Sequence, residues 1–270
     1  MKALKKWPAS AHFPAALSIR WDEIDESMQN VRKEGMTCIS INAEWGWKKG
    51  KNIDFLEKYP WIEGVSIADG IIDISVLNKL HSLKWLHLAA DKNKGDLNFS
   101  NFPDLLSLFC IWNELQYSNL DKCDKCQALQ IHKVPWTNLQ NIKSLRNLRH
   151  LEINYGKIES LQGVEGMHKL CQLNLYSLPN LQSLSDLNTI ADNVLSLSIQ
   201  KCKNIGNYEA VKKMLNIEKL LLSESAPIDS VSFFGKLNKL KYGYVGVEIL
   251  DGNTAILKQK GVEFKRQKIK

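Results

Sequence analysis

The chain has 270 residues, 44% of them hydrophobic, which is ample for a buried core and excludes a disordered polypeptide. With 24% charged residues, a mean hydropathy of -0.26 and no apolar run near the roughly 18 residues of a spanning helix, it does not read as an integral membrane protein. The formal charge of +7 sits in one place: residues 201–270 hold 14 Lys+Arg against 7 Asp+Glu, leaving 22 against 22 before them. An excess in a tail such as EFKRQKIK is the chemistry of a protected sheet edge, so nucleic acid is not an expected partner.

In chain order, MKALKKWPASAHFPAAL lacks the apolar core of a signal peptide, which leads us to expect a cytoplasmic protein. Residues 22–35, DEIDESMQNVRKEG, put Ile24, Met28 and Val31 on one face, with acids in the first turn and bases in the last. That pattern predicts a helix and suits an N-terminal cap over residues 1–35. NIDFLEKYP predicts a second helix with Asn52 as its N-cap. A central repeat region over 36–242 follows, and then a closing segment, 243–270. Within it DGNTAILKQKG predicts a short helix that starts at Asn253 or Thr254 and stops before Gly261, and GVEF an edge strand.

The repeat is the dominant signal. LHSLKWLHL ending at Leu88, LRNLRHLEI at Ile153, MHKLCQLNL at Leu175 and MLNIEKLLL at Leu222 share one pattern, apolar-x-x-apolar-x-x-apolar-x-apolar. With the last apolar position as a register mark, further copies end at Ile19, Ile41, Ile67, Cys110, Ile131, Ile199, Tyr242 and Phe264. The marks fall 20 to 26 residues apart, with a mean near 22, and cover the chain almost end to end. In each unit the closing L-x-L alternates as a half-buried strand does, while apolar residues three apart suit a 3₁₀ return. One unit cannot bury its apolar face alone, and stacked neighbours can.

This pattern resembles the leucine-rich repeat family, in its short 22-residue class found in bacterial internalins and in a eukaryotic phosphatase-regulatory subunit. The best copy, LRHLEINYGKIESLQGVEGMHKL, puts Leu148, Leu151, Ile153, Ile158, Leu161, Val164, Met167 and Leu170 on that class's apolar positions. The resemblance implies an α/β solenoid of about 10–12 repeats from a bacterial source. It would form a single horseshoe-shaped domain over 1–270, with a parallel sheet on the concave face and 3₁₀ or short helical segments on the convex one. One departure is clear. Three residues after the mark, where the family has an asparagine ladder, this chain has Asp91, Asn113 and Cys202, but also Glu44, Gly70, Val134, Gly156, Leu178, Ser225 and Val245. Most turns must therefore be hydrogen-bonded differently.

Cys123-x-x-Cys126 has no second CxxC and no histidine pair at ligand spacing. Both cysteines fall on apolar positions of the repeat and Cys110 on a register mark, which predicts core thiols, with no metal or cofactor expected. No G-x-S-x-G, G-x-x-x-x-G-K, H-E-x-x-H or G-x-G-x-x-G occurs, and an enzyme is not expected. An enzymatic reading would need His87, His132 and His150 to converge with Glu152.

Function then turns on the inner strand face. Residues one before, one after and three before each mark point away from the core. In mid-chain these include Trp85, His87, Phe109, Ile111, His132, His150, Glu152, Asn154, Asn174 and Tyr176, flanked at the turns by Trp112 and Tyr155. With Trp45 and Trp47 in AEWGWKKGKN, they are expected to form an exposed patch for one protein partner. Toward the end Lys219, Lys239 and Lys241 make the face basic. The expectation is a scaffold, monomeric when free, of which the most specific form is an immunity-type protein that neutralises a cognate bacterial toxin by occlusion. The alternatives are a regulatory or adaptor subunit of a cytoplasmic enzyme, or a secreted effector.

Overall fold

The last apolar residues of the repeats from Ile41 to Leu222 form strands whose mark-position side chains are buried, as the period-two alternation requires. The structure, a computed structural model, describes residues 4–68, 72–90 and 92–265. The ladder positions Gly70 and Asp91 and the tail beyond Lys265 lie outside the described residues. The chain divides into two compact units, Met1–Ile131 and His132–Lys270.

The first unit carries β1 (Lys6–Trp7), β2 (Ala16–Ser18), β3 (Cys38–Ile41), β4 (Gly64–Ile67), β5 (Trp85–Leu88), β6 (Leu97–Asn98), β7 (Ser107–Ile111), β8 (Tyr117–Ser118) and β9 (Ala128–His132), whose last residue opens the second unit. The sheet order is β1-β2-β3-β4-β5-β7-β9, parallel from β2 through β7, with β1 antiparallel on the edge of β2. Leu17 pairs with Ile39, Ile41 with Ile67, Ile67 with Leu88 and Leu88 with Cys110, the register expected from the marks. The helix α1 (Ile24–Lys33) buries Met28 and Val31. Gly35, at φ +65°, ends it in a Schellman turn in which the Met36 N–H reaches the Val31 carbonyl at 3.0 Å. The predicted second helix is a 3₁₀ turn, Asp54–Lys58, flanked by Ile53 and without side-chain capping, so Asn52 is not its cap.

An asparagine ladder does exist in this unit, away from the expected position. Asn78 Oδ1 accepts from the Asn98 N–H at 2.9 Å, and Asn98 Oδ1 accepts from Asn119 Nδ2 at 3.0 Å, beside the small β6–β8 pair. The 20- and 21-residue spacing of these asparagines was the available signal.

The second unit continues with β10 (His150–Asn154), β11 (Gln172–Tyr176), β12 (Ser196–Gln200), β13 (Lys219–Ser223), β14 (Tyr242–Gly246) and β15 (Glu263–Phe264), all parallel and in sequence order. Its returns are 3₁₀ turns and two short helices, α2 (Glu209–Lys212) and α3 (Ala255–Gln259). Here the broken ladder is replaced by backbone. Lys133, Tyr155, Ser177, Lys201 and Glu224, each two residues after a mark, take positive φ between 49° and 59°. That turn aims the N–H of Lys133, Tyr155, Ser177 and Lys201 at the carbonyl of the next repeat, at 2.8 to 3.0 Å. Ser225 supplies one side-chain rung, accepting from the Cys202 N–H at 3.0 Å.

One register mark is corrected. Leu222 pairs with Val245, and Tyr242 lies opposite Lys219, so the mark is Val245 and not Tyr242. The displacement follows from Gly243, which stands opposite Leu220 where the other repeats carry an apolar side chain. Lys239 and Lys241 then fall before the strand, where Lys241 pairs with Glu218 at 2.8 Å, and Tyr242 and Tyr244 take the strand-face positions. On β14 that face is therefore aromatic where a basic surface was expected, while Lys219 stays exposed on the face of β13. The closing helix and edge strand occur as predicted, with Gly261 at φ +66° ending α3. Cys110, Cys123 and Cys126 are buried, and burial pushes the Cys123 thiol up to about 12. Among the described residues no helix is long and apolar enough to cross a membrane.

Candidate functional site

The two units present different strand faces. In the first, the face is covered by the chain's own N-terminal segment. β1 and the turn that follows it bring Trp7 to 5.0 Å from Trp45 and 6.4 Å from His87, and Phe13 to 6.3 Å from His87, between ring centroids. His87 stacks on Phe109 at 4.4 Å and bonds Ser66 Oγ through Nδ1 at 3.1 Å. Ser10–Pro14 arch over Trp85, Ser107 and Ala128 and enclose an open cleft of about 280 Å³. Ser18, Cys38, Ser40 and Ser66, expected to be exposed, are buried.

Several predicted site residues are corrected here. Trp47 is 3% exposed and packs on Phe55, so it contributes core in place of surface. Trp112 folds onto Phe99 and Tyr117, at 6.3 and 5.6 Å. Trp85, His87, Phe109 and Ile111 are half-buried and Trp45 lies under Trp7, so among the described residues these side chains do not form the open patch expected. The reason is physical: a large apolar side chain on an outer strand face attracts the nearest apolar segment, and the N-terminus supplies one.

In the second unit the strand face is open and polar. His132, Glu152, Asn154, Tyr155, Asn174, Tyr176, Ser198 and Gln200 line a hollow of about 350 Å³ over β10, β11 and β12. Parallel in-register pairing stacks Glu152 beside Asn174 and Asn174 beside Ser198, one before each mark, and Asn154 beside Tyr176 and Tyr176 beside Gln200, one after. Asn154 Nδ2 donates to Glu152 Oε1 and lies against His132 Nε2, both at 2.8 Å. Asn174 Nδ2 donates to Glu152 Oε2 at 3.2 Å, and His150 Nε2 lies 3.8 Å from that same oxygen. His150 is itself 4% exposed, so it supports Glu152 from two residues along the same strand face and offers little surface.

The rim is aromatic. Tyr155 is 53% exposed and meets Tyr176 edge to face at 5.3 Å. Lys201 Nζ binds the Tyr176 hydroxyl at 2.7 Å, which lowers the Tyr176 pKa, while the neighbouring Tyr176 hydroxyl raises that of Tyr155. Lys201 was not among the predicted site residues. Ser198 and Gln200 were visible as strand-face positions, but not as members of one hollow.

Burial lowers the pKa of His132 below its ordinary 6.5, against the opposing pull of Glu152. A histidine held neutral on folding adds stability that is complete above its ordinary pKa and lost as pH falls through the native one. Between pH 7.5 and 5 the thermal midpoint is therefore expected to fall less in H132Q than in the wild type, as followed by circular dichroism. His132 and His150 do approach Glu152, but His87 belongs to the first unit, against Phe109. Among the described residues no group of three or more His, Cys, Asp or Glu is placed to hold a metal ion.

No protein-family model and no curated protein matches the chain. Solved structures do. An internalin, InlF, from Listeria monocytogenes aligns over 86% of this chain and 72% of its own, at 17% identity and a TM-score of 0.58. A leucine-rich repeat protein of Leptospira interrogans aligns over the same 86% at 12% identity and a TM-score of 0.59. This chain has the leucine-rich repeat fold. It spans 60% of the Leptospira protein's length. The leucine-rich repeat ectodomain of the Arabidopsis receptor kinase HAESA, solved in complex with a peptide hormone ligand, matches 78% of this chain at 14% identity and a TM-score of 0.53. The departures from the repeat pattern described above are thus variations within a leucine-rich repeat, in which αL turns and a displaced asparagine ladder replace the usual rungs.

Proposed function

We propose that the protein is a non-enzymatic binding scaffold, acting as one domain over 1–270, that captures a protein partner on the strand face of its repeats. One observation carries this reading: the second unit exposes a hydrogen-bonded polar hollow, rimmed by Tyr155 and Tyr176, that the fold itself does not need. Mark-position leucines make the core, so the outward row is free to be chosen for something else. Tyrosine is a favoured anchor at interfaces because it combines large area, few rotatable bonds and a polar tip. The HAESA ectodomain, which shares the fold, binds a peptide.

Its sharper form is an immunity-type protein, cytoplasmic and monomeric when free, that occludes a cognate toxin. The absence of known catalytic motifs from the sequence and the simplicity of a blocking mechanism support it. Replacing both tyrosines, Tyr155→Ala with Tyr176→Ala, is expected to weaken partner capture by about 2 kcal/mol or more, roughly thirty-fold. The thermal midpoint should stay within a few degrees, because both residues stand outside the core. Affinity purification from the native host, comparing wild type with the double variant, measures this. A partner retained equally by both would remove the site assignment. Failure of the chain to rescue growth when co-expressed with a toxin encoded beside it would remove the immunity form.

A further inference from the structure

Carboxylates elsewhere on the chain meet a lysine of the next repeat: Glu57 with Lys79 at 2.6 Å, Glu63 with Lys84 and Asp104 with Lys125 at 2.5 Å, Glu218 with Lys241 at 2.8 Å. Glu152 differs from these four. It stands on the strand face of β10, its side chain 23% exposed, and among the described residues it carries no Lys or Arg partner. Its two oxygens are instead held separately, Oε1 by the amide of Asn154 and Oε2 by that of Asn174 on the next repeat. A partly desolvated carboxylate is costly unless compensated, and two neutral amides and a histidine compensate it less than a cation would.

The same contacts fix its direction. A carboxylate has about four lone-pair sites, and the two amides occupy one on each oxygen. His150 Nε2 also stands 3.8 Å from Oε2, so the acceptor capacity that remains lies mostly on Oε1, where the N–H donors of a guanidinium can reach it. Tyr155 lines the same hollow with half its surface open and offers a ring face on which a planar cation can stack. Lys201, the cation on the rim, is already committed to the Tyr176 hydroxyl at 2.7 Å and lies 5.0 Å over its ring.

We propose that the hollow over β10, β11 and β12 receives an arginine side chain of the protein partner, with Glu152 as the acceptor and Tyr155 as the stacking surface. This rests on the binding reading above and gives the partner a chemistry: a protruding basic residue at the centre of its contact.

The probe is the blocked tripeptide acetyl-Gly-Arg-Gly-amide, titrated into the full chain while the side-chain amide signals of Asn154 and Asn174 are followed by NMR. Saturable shifts are expected with the arginine peptide, weaker ones with the lysine analogue and none with the glutamine analogue. E152Q should reduce the affinity at least ten-fold. N174A, which frees one carboxylate oxygen, should reduce it several-fold and serves as the test if E152Q does not fold. Equal responses to the arginine and glutamine peptides, or binding unchanged in both variants, would overturn the proposal. If the arginine peptide is ignored while partner capture still requires Tyr155 and Tyr176, the arginine receptor fails and the scaffold reading stands. If the peptide binds and the tyrosine variant captures its partner undiminished, the scaffold assignment fails instead.

Discussion

Replacing Trp7 and Phe13 together by alanine will undock the N-terminal segment from the first unit and leave the repeats beneath it folded. The segment is held by a short pairing and by aromatic rings, among them Trp7 against Trp45 at 5.0 Å. It has two residues of β pairing, the Ser18 N–H to the Lys5 carbonyl at 2.9 Å, the Lys5 N–H to Ser18 Oγ at 3.0 Å, and the rings of Trp7 and Phe13 around His87. Each half-buried aromatic ring stabilises by about 1–1.5 kcal/mol, so losing both shifts docking by roughly 2–3 kcal/mol, on the order of 100-fold. The core leucines are untouched, and opening should be local. Hydrogen exchange is the measurement. The amides of Lys5 and Ser18 should lose protection, while those of β5 and β7 paired within the sheet keep theirs. The uncovered Trp85, His87 and Phe109 should then bind a hydrophobic dye that the wild type ignores. Protection unchanged at Lys5 and Ser18 would show that the aromatic rings do not hold the segment.

This contact marks the limit of what the residues alone disclose. The repeat is legible because stacking imposes one apolar pattern on every unit: Leu86, Leu151, Leu173 and Leu220 occupy equivalent buried places, and any one of them predicts the next. The strand-face residues follow by alternation, which is why Glu152, Asn154, Asn174 and Tyr176 could be placed on one surface. What covers a surface follows from no period. MKALKKWPASAHFPAAL lies outside the repeat, and nothing in its spacing says that Trp7 and Phe13 meet His87. Trp47 and Trp112 were lost for a related reason, since each sits in a loop whose direction is set by aromatic neighbours that the repeat period does not relate to it, Phe55 for one and Phe99 and Tyr117 for the other. The turns are intermediate. The loss of the ladder asparagines was visible, but the positive-φ residues that replace them, Lys133, Tyr155, Ser177, Lys201 and Glu224, are not of the types that favour that conformation.

Restoring the repeat pattern at position 243 will destabilise the protein. Gly243→Leu converts L-x-x-L-x-x-G-x-V into the form carried by the neighbouring repeats, and by pattern alone it should improve the core. The surroundings decide otherwise. A Cβ built on Gly243 falls 2.9 Å from both methyl groups of Val262 and 3.4 Å from Leu240 Cδ2. Val262 is placed there by the closing turn of α3, where its N–H reaches the Leu257 carbonyl at 2.9 Å, and it is buried. Its methyls are the branches of a stiff β-branched side chain and cannot swing aside. The closing segment has thus filled the leucine's place from the far side, which is how the last repeat is sealed. Overpacking of this kind costs typically 1–3 kcal/mol, and the full leucine should reach the upper end. Urea unfolding of G243L should show that loss. Combined with V262A, which removes the clashing branches, the cost should fall short of the sum of the two single changes by about 1 kcal/mol or more, the mark of two side chains competing for one space. A G243L variant more stable than the wild type would mean that Val262 yields and that the glycine is only a gap in the pattern.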